Sequence, residues 1–405
     1  MLYITIMGLK FNIAIVGSGL TGSITSLALA KAGYKIALID PKTFEGFKEN
    51  NYDTRTTALS KKSKLFFEHL SLWQHMKPFT CMIRNIMVND GTPQKNIYFN
   101  KTERRKNKPL GFMIKNKDLF TILIGLIKKN KNINKFDNRV STFFRDQENV
   151  AIKLNNGKTI TCQLLIAADG KNSPIRKKIG INSYKKNYKQ KAFIFNVQHE
   201  KSHNNLATEN FLKHGPLASL PIIQNNSNCY SSIVWSCNHP FYYKITKYTK
   251  KDIERELNFY LSEYYGKITI ITEVKSWDLS LIKAQKFFDT RVLLMGDAAH
   301  SIHPLAGQGL NLTLKGIEIL YRLANNNKIK KEDIGSDKIL KDFNKKQYLN
   351  STAIIFATDK LNFLFSNSNF FLKTAREIGL YAFKRSKVLK NIFKNYASEG
   401  KLSIK

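Results

Sequence analysis

The chain has 405 residues, 42% of them hydrophobic; that excludes a disordered chain and exceeds one small core, so two closely joined domains are expected. Lysine and arginine number 66 against 30 acidic residues, a formal charge of +36, yet they are scattered among abundant asparagine and isoleucine over the whole length. Scattered charge reads as compositional bias rather than a dedicated nucleic-acid site, while a general attraction to anionic membrane surfaces survives it.

Cys81, Cys162, Cys229 and Cys237 form no C-x-x-C pair, which argues against zinc and a redox dithiol and fits a reducing cytoplasm. No run of 18 apolar residues predicts a transmembrane helix, and Met1 to Lys10 is too short and wrongly flanked for a signal peptide.

In chain order, Phe11 to Val16 predicts a buried strand, Ser23 to Ala32 a helix closed by Gly33, and Tyr34 to Ile39 a second strand ending at Asp40. This is a βαβ unit. Strands are expected over Phe79 to Phe99 around a turn at Asn89-Asp90-Gly91, an amphipathic helix over Lys117 to Lys129, and a hairpin over Val150 to Leu154 and Thr159 to Leu164. Lys191 to Ile282, rich in aromatic and β-branched residues, reads as a largely β domain. Arg291 to Met295 is a further buried strand, Leu310 to Leu323 a helix, and the chain from Asp342 onward is helical.

Three segments carry chemistry. In Gly17-Ser18-Gly19-Leu20-Thr21-Gly22, Gly17 permits a tight turn, Gly19 admits a pyrophosphate to the backbone, and Gly22 lets helix and strand pack closely. The helix N-terminus behind it offers free N–H groups to the anion, and Asp40, 18 residues after Gly22, can accept hydrogen bonds from ribose hydroxyls. This motif alone does not separate NAD from FAD. The second segment, Ala167-Ala168-Asp169-Gly170 with Ser173 and Arg176, follows the strand Leu164 to Ile166 and by itself could be a turn. The third runs Met295-Gly296-Asp297-Ala298-Ala299-His300, then His303-Pro304-Leu305-Ala306-Gly307-Gln308-Gly309-Leu310-Asn311. Asp297 there can bind ribityl hydroxyls, and the helix opened by Gly-Gln-Gly can aim N–H groups at the pyrimidine edge of a flavin, where reduction places negative charge. His300 and His303 lack a third ligand at suitable spacing and read as loop-orienting or pocket-lining groups, not metal ligands.

Taken in this order, the three segments resemble the single-component flavoprotein aromatic hydroxylases of para-hydroxybenzoate-hydroxylase-like fold. The likeness narrows to the ubiquinone-biosynthesis hydroxylases of UbiH type. Asp53 to Ser60 is similar to their D-x-R-x-x-A-L-S, Gly215 to Pro221 with Val234 to Ser236 to their G-P-L-A-x-L-P and V-W-S, and Gly296 to Asn311 to their G-D-A-A-H signature. Ala357 to Leu361, Phe365 to Asn367 and Arg376 to Leu380 continue it; Thr313, Gly316 and Lys360 depart from the usual residues.

The resemblance implies a discontinuous Rossmann-like FAD-binding domain (1–75, 105–180, 285–345), an inserted, mainly β substrate domain (76–104, 181–284) and a helical C-terminal region (346–405). It assigns the pyrophosphate to Gly17, Gly19 and Gly22, the adenosine ribose to Asp40, and the pyrophosphate or flavin edge to Arg55. Asp169 and Gly170 would support the cleft between NADPH and FAD, while Gly296 and Asp297 would hold the ribityl chain. Pro304, Gly307 and Gln308, followed by Gly309, Leu310 and Asn311, would line the flavin ring near the substrate. The implied reaction is NAD(P)H- and O2-dependent hydroxylation of a polyprenylated phenol through a C4a-hydroperoxyflavin, without a metal or a side-chain nucleophile. The implied setting is cytoplasmic, peripheral at the inner membrane face, alongside other ubiquinone-biosynthesis proteins, with Phe363 to Leu402 as candidate membrane surface. The rival readings are another flavoprotein of the same fold (another phenol hydroxylase, a halogenase or a prenyl reductase), and a non-enzymatic basic membrane- or nucleic-acid-binding protein on a decayed scaffold.

Overall fold

The computed structural model describes residues 9–49, 53–89, 96–99, 109–224, 228–303 and 307–366. The elements that build the site are, in chain order, β1 (Ile13–Val16), α1 (Leu20–Lys31), β2 (Ile36–Asp40), β3 (Thr56–Ser60), β4 (Asn85–Asn89), β5 (Gly111–Lys115), α2 (Asn116–Lys128), β6 (Ile133–Asp137), β7 (Leu164–Ala167), β8 (Ser183–His199), β9 (Leu206–Leu212), β10 (Gly215–Pro221), β11 (Cys229–Asn238), α3 (Lys250–Tyr265), β12 (Lys275–Ala284), β13 (Val292–Leu294), α4 (Gln308–Lys330) and α5 (Asp337–Ser366).

The first sheet has the order Phe288–Asp289, β13, β7, β1, β2, β6, parallel except at its first pair. Its strands are short aliphatic runs because both faces are covered: β7 and β13 are buried throughout, and β1 at all but Val16. Helix α1 lies on it and is buried from Gly22 to Ala30, so its all-round apolar character suits a place between the sheet and helices α2 and α4. Tyr34 fixes that stack by donating its hydroxyl hydrogen to the Ala324 carbonyl at 2.9 Å.

The second sheet has nine strands, in the order His300–Ser301, β12, β8, β11, β10, β9, β4, Ile97–Phe99, with Ile268–Ile270 added on β8. Only β9 and β4 pair in parallel. Its strands alternate sides. Phe193, Phe195, Leu217 and Trp235 face α3 and pack with Leu257 and Leu261, whereas Ile194, Ala218 and Val234 face the opposite way. Helix α3 interrupts the stretch read from sequence as β domain. Its start is marked by Thr249 and Asp252, which exchange hydrogen bonds in a capping box.

A small sheet of β3, β5 and Thr80–Ile83 stands between the two large ones. The hairpin expected at 150–164 forms with Val150 opposite Cys162, but Leu164 already belongs to β7. Among the described residues, no helix is long and apolar enough to cross a membrane.

Candidate active site

Parallel register brings the three motifs to one rim. Ala167 stands opposite both Val16 and Leu294, so the turns after β1, β7 and β13 leave the same edge of the sheet side by side. Their backbones are tied: Ala168 N–H donates to Val16 O at 2.8 Å, and Met295 N–H to Ala167 O at 2.9 Å. The carboxyl ends of parallel strands are where this sheet type leaves a crevice. Gly22 lies so close to Gly17 that a methyl at 22 would overlap the Gly17 carbonyl oxygen. Gly296 packs on Thr21, joining the first and third turns. Buried Arg176 joins the second and third, donating to Ala298 O at 2.7 Å and Lys171 O at 2.9 Å.

Two helices begin at this site without a side-chain cap. Gly19 is the N-cap of α1 and Gly307, in the left-handed conformation at φ 61°, that of α4. Elsewhere Ser60, Ser173 and Thr249 cap helices, while α2 starts uncapped on Lys115, so what sets α1 and α4 apart is a glycine at an uncapped start. A helix start without a cap leaves N–H groups for a ligand, and glycine keeps the approach clear. Among the described residues, no atom beyond the chain neighbours lies within 4 Å of the position a Cβ would take at Gly19, Gly170 or Gly309.

Asp40 accepts from Ser18 N–H at 2.7 Å and Lys42 N–H at 2.9 Å, so its carboxylate holds the first turn. Asp169 accepts from Ile175 N–H at 3.1 Å through one oxygen, while its other oxygen is buried with no hydrogen-bond partner among the described residues. Burial raises the Asp169 carboxyl, opposed by the nearby Ser173 hydroxyl, the Ile175 N–H and the Arg176 charge. Asp297 reaches into the opening and makes no hydrogen bond among the described residues. The protein crowded round it raises its carboxyl above the usual range, against the pull of Arg55 and Lys171. Arg55, half-exposed, is clamped by Asp53 at 2.7 and 2.8 Å with its guanidinium 5.5 Å from the Trp277 ring.

A cavity of about 390 Å³ runs from this rim to the second sheet. Arg55, Asp297, Gly307, Gly309, Leu310 and Asn311 line one side; Val88, Ala207, Pro216, Ala218, Leu220 and Val234 lie along the other. The sequence segments 215–221 and 234–236 therefore contribute every second residue to its wall.

Some expected residues sit differently from one another. Asn311 reaches the cavity, but its side-chain amide is fully engaged: it donates to Ala58 O (2.7 Å) and Gly307 O (2.9 Å) and accepts from Ser60 N–H (2.9 Å) and Ser63 Oγ (2.7 Å). It clasps β3 to α4. Gln308 is buried and lines a separate recess with Ser63, Phe66 and Leu314. Pro304 and residues 367–405 lie outside the described residues. Buried His300 contacts Gln347 at 3.3 Å and His303 contacts Gln190 at 3.1 Å; burial pushes both rings down to about 4. Glu209, on the wall formed by the second sheet, was not singled out from sequence, since a glutamate in an amphipathic strand reads as a solvated position.

An uncapped pair of helix starts, glycines that keep the rim open and an unpartnered acid in the opening together fit an elongated, anionic, hydroxyl-bearing dinucleotide. They define a dinucleotide-binding flavoprotein fold with an adjoining, partly enclosed cavity. Residues 10–324 match the family described as FAD binding domain. The ubiquinone hydroxylase UbiL of Rhodospirillum rubrum is 30% identical over 95% of this chain and 89% of its own length. The 3-demethoxyubiquinol 3-hydroxylase of Escherichia coli is 26% identical over 95% of this chain and 98% of its own. The solved structure of p-nitrophenol 4-monooxygenase PnpA from Pseudomonas putida superposes with a TM-score of 0.75 at 16% identity, covering 96% of this chain and 97% of that one. The chain belongs to the FAD-binding monooxygenase family of the ubiquinone-biosynthesis hydroxylases.

Proposed function

We propose that the protein hydroxylates the aromatic ring of a polyprenylated phenol on the way to ubiquinone, using NAD(P)H and O2. The observation that carries this reading is a continuous cavity with a polar rim of glycine turns, helix starts and Asp297 on one side and a largely apolar sheet face on the other. FAD, when bound, supplies the two-electron chemistry and the activation of dioxygen. The chain's own part is to bind, orient and keep water out.

In this reading Gly17, Gly19 and Gly22, with the start of α1, hold the pyrophosphate. Asp40 shapes that turn and lies beside the adenosine ribose; Gly296 and Asp297 hold the ribityl hydroxyls. The N–H groups at Gly309 and Leu310 stabilise negative charge on the ring's pyrimidine edge. Arg55, steered by Asp53, is the cation near that edge, and Asp169 and Gly170 border the approach for NAD(P)H. The apolar face of the second sheet receives the aromatic ring and the first prenyl units. Scattered lysines supply peripheral attraction to an anionic bilayer in which such a substrate resides.

The test is to purify the FAD-loaded protein and present 2-farnesylphenol in vesicles containing anionic lipid, with NADPH and ¹⁸O-labelled dioxygen. The expected product is a catechol or hydroquinone with one labelled oxygen, formed more slowly as salt rises. A colourless protein, or NADPH oxidation that yields only hydrogen peroxide with every prenyl phenol tried, would refute the reading.

A further inference from the structure

The wall of the cavity formed by the second sheet can be read row by row from its register. Val88, Glu209, Ala218, Val234 and Ile194 stand side by side on five adjacent strands, β4, β9, β10, β11 and β8. The row on one side is Ile86, Ala207 and Leu220; the row on the other is Phe211, Pro216 and Ser236. All eleven residues line the cavity. Glu209 is the one ionisable group among them, set in the middle of a floor that is apolar apart from Ser236.

Strand parity argues that this placement is not a fold requirement. Residues 207, 209 and 211 share a face, and the polar groups of β9 that serve the fold lie on the other. There Asn210 is buried, accepting at Oδ1 from Asn89 Nδ2 and donating to the Leu217 carbonyl oxygen. Glu209 makes no hydrogen bond or ion pair among the described residues. A partly buried carboxyl without a partner costs stability, and a leucine there would satisfy the pattern of its neighbours better.

We infer that Glu209 is the acid–base group that receives the ring hydroxyl of the substrate. This rests on the reading of the cavity as a phenol site. The carboxylate accepts a hydrogen bond from the phenol O–H. As the ring is oxygenated, that O–H bond breaks, its proton forms a new O–H bond on a Glu209 carboxylate oxygen, and the bonding pair stays on the phenol oxygen. The ring is thereby enriched in electrons where it must act as nucleophile. No other reductant or oxidant enters the step.

Enclosure by its neighbours raises the Glu209 carboxyl to about 7, within the range where a carboxyl exchanges protons at neutral pH. Val88 and Ala218, directly opposite it on β4 and β10, are apolar. The ionisable groups elsewhere on the cavity wall are Arg55, Asp297, His300 and His303.

The experiment compares 2-farnesylphenol with its methyl ether, which has the same shape and no proton to donate. Binding of each to the oxidised, FAD-loaded protein is measured by equilibrium dialysis between pH 5.5 and 8.5, followed by turnover of the phenol. The wild type is expected to prefer the phenol by about tenfold at pH 8. That preference fades as pH falls through about 7, because a protonated carboxyl donates to either oxygen. Glu209→Leu should lose the preference at every pH, and turnover with it, while keeping its FAD. Glu209→Gln, nearly isosteric, should keep the fold and bind both ligands with no pH dependence. An unchanged preference in both variants, with wild-type turnover, overturns the assignment while leaving the phenol reading intact. Failure of the wild type to bind or hydroxylate any prenyl phenol overturns both.

Discussion

Asp297 is the side chain on which the proposed flavin site can be tested most directly. It follows the buried strand β13, reaches the opening between the two large sheets and takes no hydrogen bond from the described residues. Its carboxyl is raised by the protein packed around it, although it keeps an exposed surface and Arg55 and Lys171 pull the other way. An aspartate whose folded-state proton affinity exceeds its unfolded one subtracts stability at neutral pH. Asp297→Ala should therefore leave the urea midpoint unchanged or slightly higher. FAD affinity should fall by at least about tenfold, the worth of one or two hydrogen bonds from hydroxyls to a charged acceptor. Flavin absorbance after gel filtration reads the affinity, and full retention of FAD would remove the role given to this side chain. Asn311 teaches the reverse: it reaches the cavity, yet all its hydrogen-bonding capacity goes to β3 and α4.

At the scale of elements, the site is made by how α1 and α4 begin. Both start on glycine and neither has a side-chain cap, whereas α3 starts with a reciprocal Thr249–Asp252 pair. Two glycines of the first turn separate packing from access. A methyl at Gly22 would meet the Gly17 carbonyl, so Gly22→Ala should cost about 1–3 kcal/mol, seen as a lower urea midpoint. Gly19 has φ −64° and open space where a Cβ would go, so Gly19→Ala should fold normally while its methyl enters the slot and weakens FAD binding. Equal stability of the two variants would sink this division of labour.

These helix starts were legible in the sequence because glycine spacing after an aliphatic strand has few other uses. The parallel sheet was legible for a related reason: strands buried on both faces read as continuous aliphatic runs. Helix α3 was hidden because Phe259, Tyr260, Tyr264 and Tyr265 on it are aromatic residues that favour strands equally well. The bury-or-expose choice at Glu209 was hidden too, because it depends on strands β4 and β10, which come from distant parts of the chain.

At the scale of the molecule, the two large sheets meet at a seam that carries two neutral histidines. His300 lies on the short strand paired with β12, and His303 is bonded to Gln190 of β8. Burial pushes both rings from an ordinary 6.5 to about 4. The unfolded chain then binds protons below pH 6.5 that the folded chain refuses until about pH 4. Stability therefore falls with pH across that window, by up to about 3 kcal/mol for each ring. The urea midpoint should drop between pH 7 and pH 5, and His303→Gln should drop by less over the same interval. Identical losses in wild type and variant would show that this ring does not set the acid sensitivity.

The rim described above also fixes an order of events during synthesis. Its turns come from either end of a long stretch of polypeptide, with Gly17 emerging early from the ribosome and Gly296 to Asn311 late. A growing chain that has made only its first βαβ unit holds the first glycine turn and neither Asp297 nor the start of α4. The three turns can therefore assemble into one rim only after Gly296 to Asn311 have emerged and docked on that first unit.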